Sequence, residues 1–93
     1  MEITQVTISL RNEERLRAYV SVVFDGEFVV RGLKVIRGRD GFFVSMPSKR
    51  LRNGSFQDIA HPITAECRKR IEETVLREYE RVLRERDGHG SAA

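Results

Sequence analysis

Leu16-Arg17-Ala18-Tyr19-Val20-Ser21-Val22-Val23-Phe24, followed by Asp25-Gly26 and then Glu27-Phe28-Val29-Val30, is the stretch that decides the fold. Leu16, Ala18, Val20, Val22 and Phe24 alternate with Arg15, Arg17, Tyr19, Ser21 and Val23, the period of a strand with one buried face. Asp25-Gly26 between apolar runs is a strong hairpin signal, because both central positions of the favoured turn need positive φ. The next strand changes phase. Phe28 and Val30 are even and Leu33 and Val35 odd, so one extra residue at Arg31-Gly32 predicts a β-bulge.

Outward from this hairpin, Val6, Ile8 and Leu10 predict a first strand over 3–10. Asp40-Gly41 predicts a second tight turn, with a fourth strand over 42–46, and Asn53-Gly54 predicts a third, with a short fifth strand around Phe56 and Ile59. Pro47 cannot donate to a ladder and should end the fourth strand. His61-Pro62 breaks the sheet pattern, Thr64 suits a helix N-cap, and no Gly or Pro interrupts residues 65–86. Cys67, Ile71, Val75, Leu76, Tyr79, Val82 and Leu83 form the apolar arc of that helix. The expectation is an α+β domain over residues 1–86, an antiparallel β-meander of about five strands followed by one long C-terminal helix. Residues 87–93, small and polar, read as a disordered tail. A helix of roughly 22 residues, about 33 Å long, covers one sheet face. Tyr19, Val23, Val29, Ile36 and the adjacent Phe42 and Phe43 leave apolar groups on the other, so a homodimer through sheet pairing or exchange is expected.

Composition narrows the function. The 93 residues carry a net charge of +3 and one cysteine, which cannot form an internal disulfide and suits a reducing, cytoplasmic setting. No run approaches the roughly 20 apolar residues of a membrane span, so no membrane insertion is expected. From residue 62 onward seven cations balance seven anions. Residues 31–52 instead hold seven cations against Asp40 alone, a surplus of six. Such a segment is a footprint for a polyanion, or a set of solvated charges that keep strand edges apart. Ser48-Lys49-Arg50-Leu51-Arg52-Asn53 gathers cations, a hydroxyl and an amide suited to phosphate, and Arg50 or Arg52 could reach a guanine edge. Arg68 and Lys69, at the helix start, are further candidates.

Along the helix, Glu66, Glu73 and Glu80 stand four residues before Arg70, Arg77 and Arg84, which favours a salt-laced solvent face over a binding stripe. The aromatic residues fall mostly on expected core positions, which weighs against base stacking. Catalysis is not expected. His61 and Asp58 read as corner-holding residues, Cys67 lacks partners at metal-site spacing, Ser48-Lys49 lacks the serine–lysine nucleophile pattern, and glycines occur singly. No catalytic residue, metal or cofactor is expected.

Gly41-Phe42-Phe43-Val44-Ser45-Met46-Pro47-Ser48-Lys49-Arg50, Asn53-Gly54-Ser55-Phe56-Gln57-Asp58-Ile59-Ala60-His61-Pro62-Ile63 and Val75-Leu76-Arg77-Glu78-Tyr79 resemble the stage V sporulation protein G (SpoVG) family, over nearly the whole chain to about Arg81. The resemblance implies a small dimeric α+β regulator affecting asymmetric septation, sporulation and gene expression in bacteria. It also implies binding to DNA and, in some members, RNA. Ser48, Lys49 and Arg50 match the family's basic loop, and Arg52 extends it. The helix start Thr64-Ala65-Glu66-Cys67-Arg68-Lys69-Arg70 departs from the family's asparagine-rich start, and Gly-His-Gly-Ser-Ala-Ala replaces its acidic or polar tail. A contrasting expectation is an adaptor that docks on septation proteins and binds no nucleic acid.

Overall fold

The computed structural model describes residues 1–92, with side chains through Asp87. Strands β1 (Ile3–Leu10), β2 (Leu16–Phe24), β3 (Phe28–Gly38) and β4 (Gly41–Ser45) form an antiparallel meander in the order β1-β2-β3-β4. Strands β5 (Ser48–Arg50) and β6 (Phe56–Asp58) form a separate two-stranded sheet, and α1 (Ala65–Ala92) follows.

The hairpin that decided the reading closes as expected. Asp25 and Gly26 take φ of 54° and 64°, and Glu27 N–H donates to the Phe24 carbonyl at 3.0 Å. The bulge also stands where the phase changes: Val20 faces Leu33 and Val22 faces Val30, so β3 carries one more residue than β2, next to Gly32 at φ 85°. That extra residue moves Leu33 and Val35 onto the face already held by Val20 and Val22. A second irregularity, between Leu16 and Ala18, sets Leu16 opposite Ile36 and removes it from the expected core row.

The helix lies across this face, touching both edge strands, β1 and β4. Ala18, Val20, Val22, Phe24, Leu33, Val35, Val44 and Met46 of the sheet side meet Ile71, Val75 and Tyr79 of α1 in one buried cluster, flanked by Val6, Ile8, Leu10, Cys67, Leu76 and Leu83. Burying each large aliphatic side chain there stabilises the fold by about 1.5–3 kcal/mol. Thr64 caps the helix, its Oγ1 accepting the Cys67 N–H at 3.1 Å. The helix runs to Ala92, beyond the 65–86 stretch read from the sequence. Extending a formed helix needs no new nucleation, and each glycine costs only about 1 kcal/mol relative to Ala. Residue 93 lies outside the described residues.

Two further expectations change. The fifth strand does not join the meander. Buried Pro47 follows β4, and beyond it the chain pairs with itself as the β5–β6 ribbon. Ile59 N–H donates to the Pro47 carbonyl at 2.7 Å and ties the ribbon to its base. The charges on the helix also choose other partners. Arg81 bridges Glu78 at 2.8 Å and Glu85 at 2.7 Å, Lys69 approaches Glu73 at 3.9 Å, and Arg70 donates to the Met1 carbonyl at 3.1 Å. The pairs expected from spacing, Glu66–Arg70, Glu73–Arg77 and Glu80–Arg84, are not among the ion pairs of the described residues. Exposed pairs on a helix differ by only a few tenths of a kcal/mol, so neighbouring registers compete closely.

Candidate nucleic-acid interface

Ser48, Lys49 and Arg50 lie on a strand rather than in a loop. They face Asp58, Gln57 and Phe56 respectively. Directly paired residues share a face and successive ones alternate, so Ser48 and Arg50 stand with Asp58 and Phe56 on one face, and Lys49 stands with Gln57 on the other. Lys49, Arg50 and Arg52 are exposed and Ser48 is half-buried. The connecting turn is closed by its own backbone: Leu51 N–H donates to the Ser55 carbonyl at 2.7 Å, and Gly54 N–H to the Leu51 carbonyl at 3.0 Å. Asn53 Oδ1 accepts from the Ser55 amide at 3.0 Å and hydroxyl at 2.6 Å, which holds the tip and leaves the Asn53 amine free to donate outward. Gly54, at φ 88°, supplies the left-handed position this turn needs.

The other two candidates lie apart from the ribbon strands. Half-buried Arg68 and exposed Lys69 border a shallow depression with Glu72, Glu73 and Leu76, and Lys69 is drawn toward Glu73. Acids therefore share the surface of this second cationic patch, and the ribbon carries the less compensated charge. A further arginine row, Arg77, Arg81 and Arg84, borders a furrow between the helix and residues 3–6 of β1. Within it Arg81 donates to both carboxylate oxygens of Glu78, the main reason the Glu78 pKa is lowered from the ordinary glutamate value, partial burial opposing it. At the far end of the β3–β4 hairpin, Arg15, Arg37 and Arg39 gather around Glu14 and Gly38, a cluster that the stretch-by-stretch charge count did not bring together.

The aromatic residues depart most from expectation. Only Phe24 and Tyr79 are buried, whereas Tyr19, Phe28, Phe42, Phe43 and Phe56 are exposed. Tyr19 and Phe43 stand on the sheet face opposite the helix, where register sets Tyr19 beside Lys34 and Phe43 beside Ile36. The Arg11 guanidinium lies 4.8 Å from the Tyr19 ring centre. Phe42 leans on Tyr79 at the margin of the core, with centroids 5.6 Å apart. Phe28 lines an apolar cavity of about 150 Å³ at the base of the ribbon, with Val30, Met46, Pro47, Pro62 and Cys67. At the same corner His61 Nδ1 lies 3.1 Å from the Pro62 carbonyl oxygen, while Asp58 is exposed on β6. The described residues hold no group of three or more His, Cys, Asp or Glu suited to a metal, and no helix long and apolar enough to cross a membrane.

The SpoVG family model matches residues 1–81. Proteins named "Putative septation protein SpoVG" are similar along nearly their whole length. That of Anaeromyxobacter sp. (strain Fw109-5) is 55% identical over 84 residues, covering 90% of this chain and 87% of its own. That of Thermoanaerobacter pseudethanolicus is 47% identical over 90 residues, covering 96% and 98%. That of Clostridium acetobutylicum is 47% identical over 88 residues, covering 94% and 93%. With the sheet, the ribbon and the helix as far as residue 81 inside the matched span, the chain belongs to the SpoVG family.

Proposed function

We propose that this SpoVG-family chain is a dimeric regulator of septation, sporulation and gene expression that binds DNA or RNA through the β5–β6 ribbon. The relatives' names support the septation role. The observation that carries the nucleic-acid reading is the ribbon itself: Lys49, Arg50 and Arg52 are exposed on a short hairpin that stands outside the main sheet. Asp58 is the one acid of the ribbon strands and makes no ion pair with these cations among the described residues, and phosphate contact by exposed cations supplies most sequence-independent affinity. Ser48, at the base of the ribbon, adds a hydroxyl. Arg68 and Lys69 extend the contact toward the helix start once phosphate competes with Glu73 for the lysine. The open sheet face, with Tyr19, Val23, Val29, Ile36 and Phe43, supports packing against a second copy, and two ribbons in one assembly raise affinity for a long polyanion through effective concentration.

The test is a binding titration at several salt concentrations. Lys49→Ala with Arg50→Ala is expected to weaken binding to every sequence alike and to reduce the salt slope by about 1.8 for a duplex, two contacts' worth. Unchanged affinity and slope would remove the ribbon from the interface. The apolar cavity and exposed Phe28, Ile59 and Ile63 favour a second reading, an adaptor docking on a septation protein. That reading prevails if nuclease-treated lysate yields a stoichiometric division protein and the purified chain binds no nucleic acid at physiological salt.

A further inference from the structure

Phe56 sits opposite Arg50 in the ribbon, and its side chain is 69% exposed. It belongs to no part of the buried cluster, so its ring does not hold the domain together. The backbone that carries it is nevertheless held. The five-residue connection between Arg50 and Phe56 is pinned by the backbone bonds from Leu51 N–H to Ser55 and from Gly54 N–H to Leu51, and by both bonds from Ser55 to Asn53. A ring held on a pinned strand, with a cation directly across on the same face, is the pairing that grips an unstacked nucleotide. The flat ring takes the base, the guanidinium takes its phosphate, and little conformational freedom is lost on binding. A base inside a duplex is already stacked on its neighbours and offers no face to such a ring.

We infer that Phe56 is a base-stacking platform beside Arg50, and that the ribbon favours single-stranded nucleic acid over duplex. This rests on the reading of the ribbon as a phosphate-binding element, and it adds what that reading leaves open, the strandedness of the ligand. Lys49, on the opposite face with Gln57, contributes charge without a ring beside it, so the two faces of the ribbon do different work.

The experiment compares a fluorescent 20-nucleotide single strand with the duplex of the same sequence, titrated by anisotropy. Phe56→Ala is expected to weaken single-strand binding about tenfold while leaving duplex binding within about twofold and the salt slope unchanged. Phe56→Leu, which keeps apolar bulk without a π face, should lose nearly as much. Phe56→Trp should bind as the parent does. The chain has no other tryptophan, so quenching of that indole by the single strand, and not by the duplex, reports the stack directly. The oligomeric state of each variant, measured by sedimentation, should not move.

The proposal is overturned if Phe56→Leu binds single strands as the parent does, or if affinity falls only in step with dissociation of the oligomer, which would make Phe56 a contact between copies. Should Lys49→Ala with Arg50→Ala weaken binding while the Phe56 variants match the parent, the stacking role fails and the phosphate-gripping role stands. Should the parent bind neither ligand, both fail together.

Discussion

The four-stranded body and the two-stranded ribbon are built from the same polypeptide by opposite rules. In the body, alternation puts Val20, Val22, Leu33 and Val35 under a helix, and ladders and apolar burial reinforce each other. In the ribbon, β5 is Ser48-Lys49-Arg50, with no apolar side at all, and β6 exposes Phe56. An isolated two-stranded hairpin is at best marginal in water, so the ribbon persists through its pinned turn and its attachment at Pro47 rather than through a core of its own. The difference teaches where each kind of residue can change. Body residues answer to stability, whereas Lys49, Arg50 and Phe56 lie exposed outside the buried cluster.

The sharpest way to break this comparison is to truncate one large side chain in each region. Leu33→Ala, at a site 2% exposed, should cost about 2–5 kcal/mol, whereas Phe56→Ala should change stability by less than about 0.5 kcal/mol. Urea unfolding at constant m-value measures both. A Phe56→Ala midpoint shifted as far as that of Leu33→Ala would make the ribbon part of the cooperative core.

Gly32 gives a smaller effect and sharpens the boundary. A Cβ there would meet the Pro47 Cβ at 3.5 Å, an ordinary contact, but φ is 85°. Gly32→Ala should therefore lower stability by about 1–2 kcal/mol through backbone strain rather than collision. A thermal unfolding temperature equal to the parent's would mean that the bulge relaxes freely and does not set the register of β3.

The smallest effect separates the helix's outer charges from the ribbon's. Hydrogen bonds from Arg81 lower the Glu78 pKa, so their contribution to stability is present above the ordinary glutamate pKa and is lost as pH falls through the lowered one. The stability difference between the parent and Arg81→Ala should be modest at neutral pH and fade on acidification as Glu78 takes up its proton. A difference that persisted at the acid end would show that Arg81 acts through packing instead of through Glu78. Nucleic-acid affinity should not follow it.

Much of the body was legible because its signals are local and mutually consistent. The Leu16–Phe24 alternation, the Asp25-Gly26 turn, the phase change at Gly32 and the Thr64 cap each have a short-range physical cause, and each stands in the structure. The ribbon was only half legible. Asn53-Gly54 announces a hairpin but not whether its strands extend the meander, and Ser48-Lys49-Arg50 has no apolar alternation to mark it as a strand. Phe28, Phe42 and Phe56 were misread for a different reason. Strand phase tells which face a side chain occupies, but not how far the covering helix reaches. Phe42 shares the helix-facing side yet sits at its margin, while Tyr19 and Phe43 stand on the side no helix covers. The candidate cations Lys49, Arg50 and Arg52 were found from charge density alone. Their division between two faces needed the register.

Pro47 has one more consequence. It stands two residues beyond the end of β4, lies buried, and through its carbonyl accepts from the amide of Ile59, where the chain returns from the ribbon. Entry and exit thus meet at one residue, as the two ends of a cassette meet at a socket. A change of length or charge between them is therefore expected to fall on the ribbon, since the β1–β4 ladders close without it.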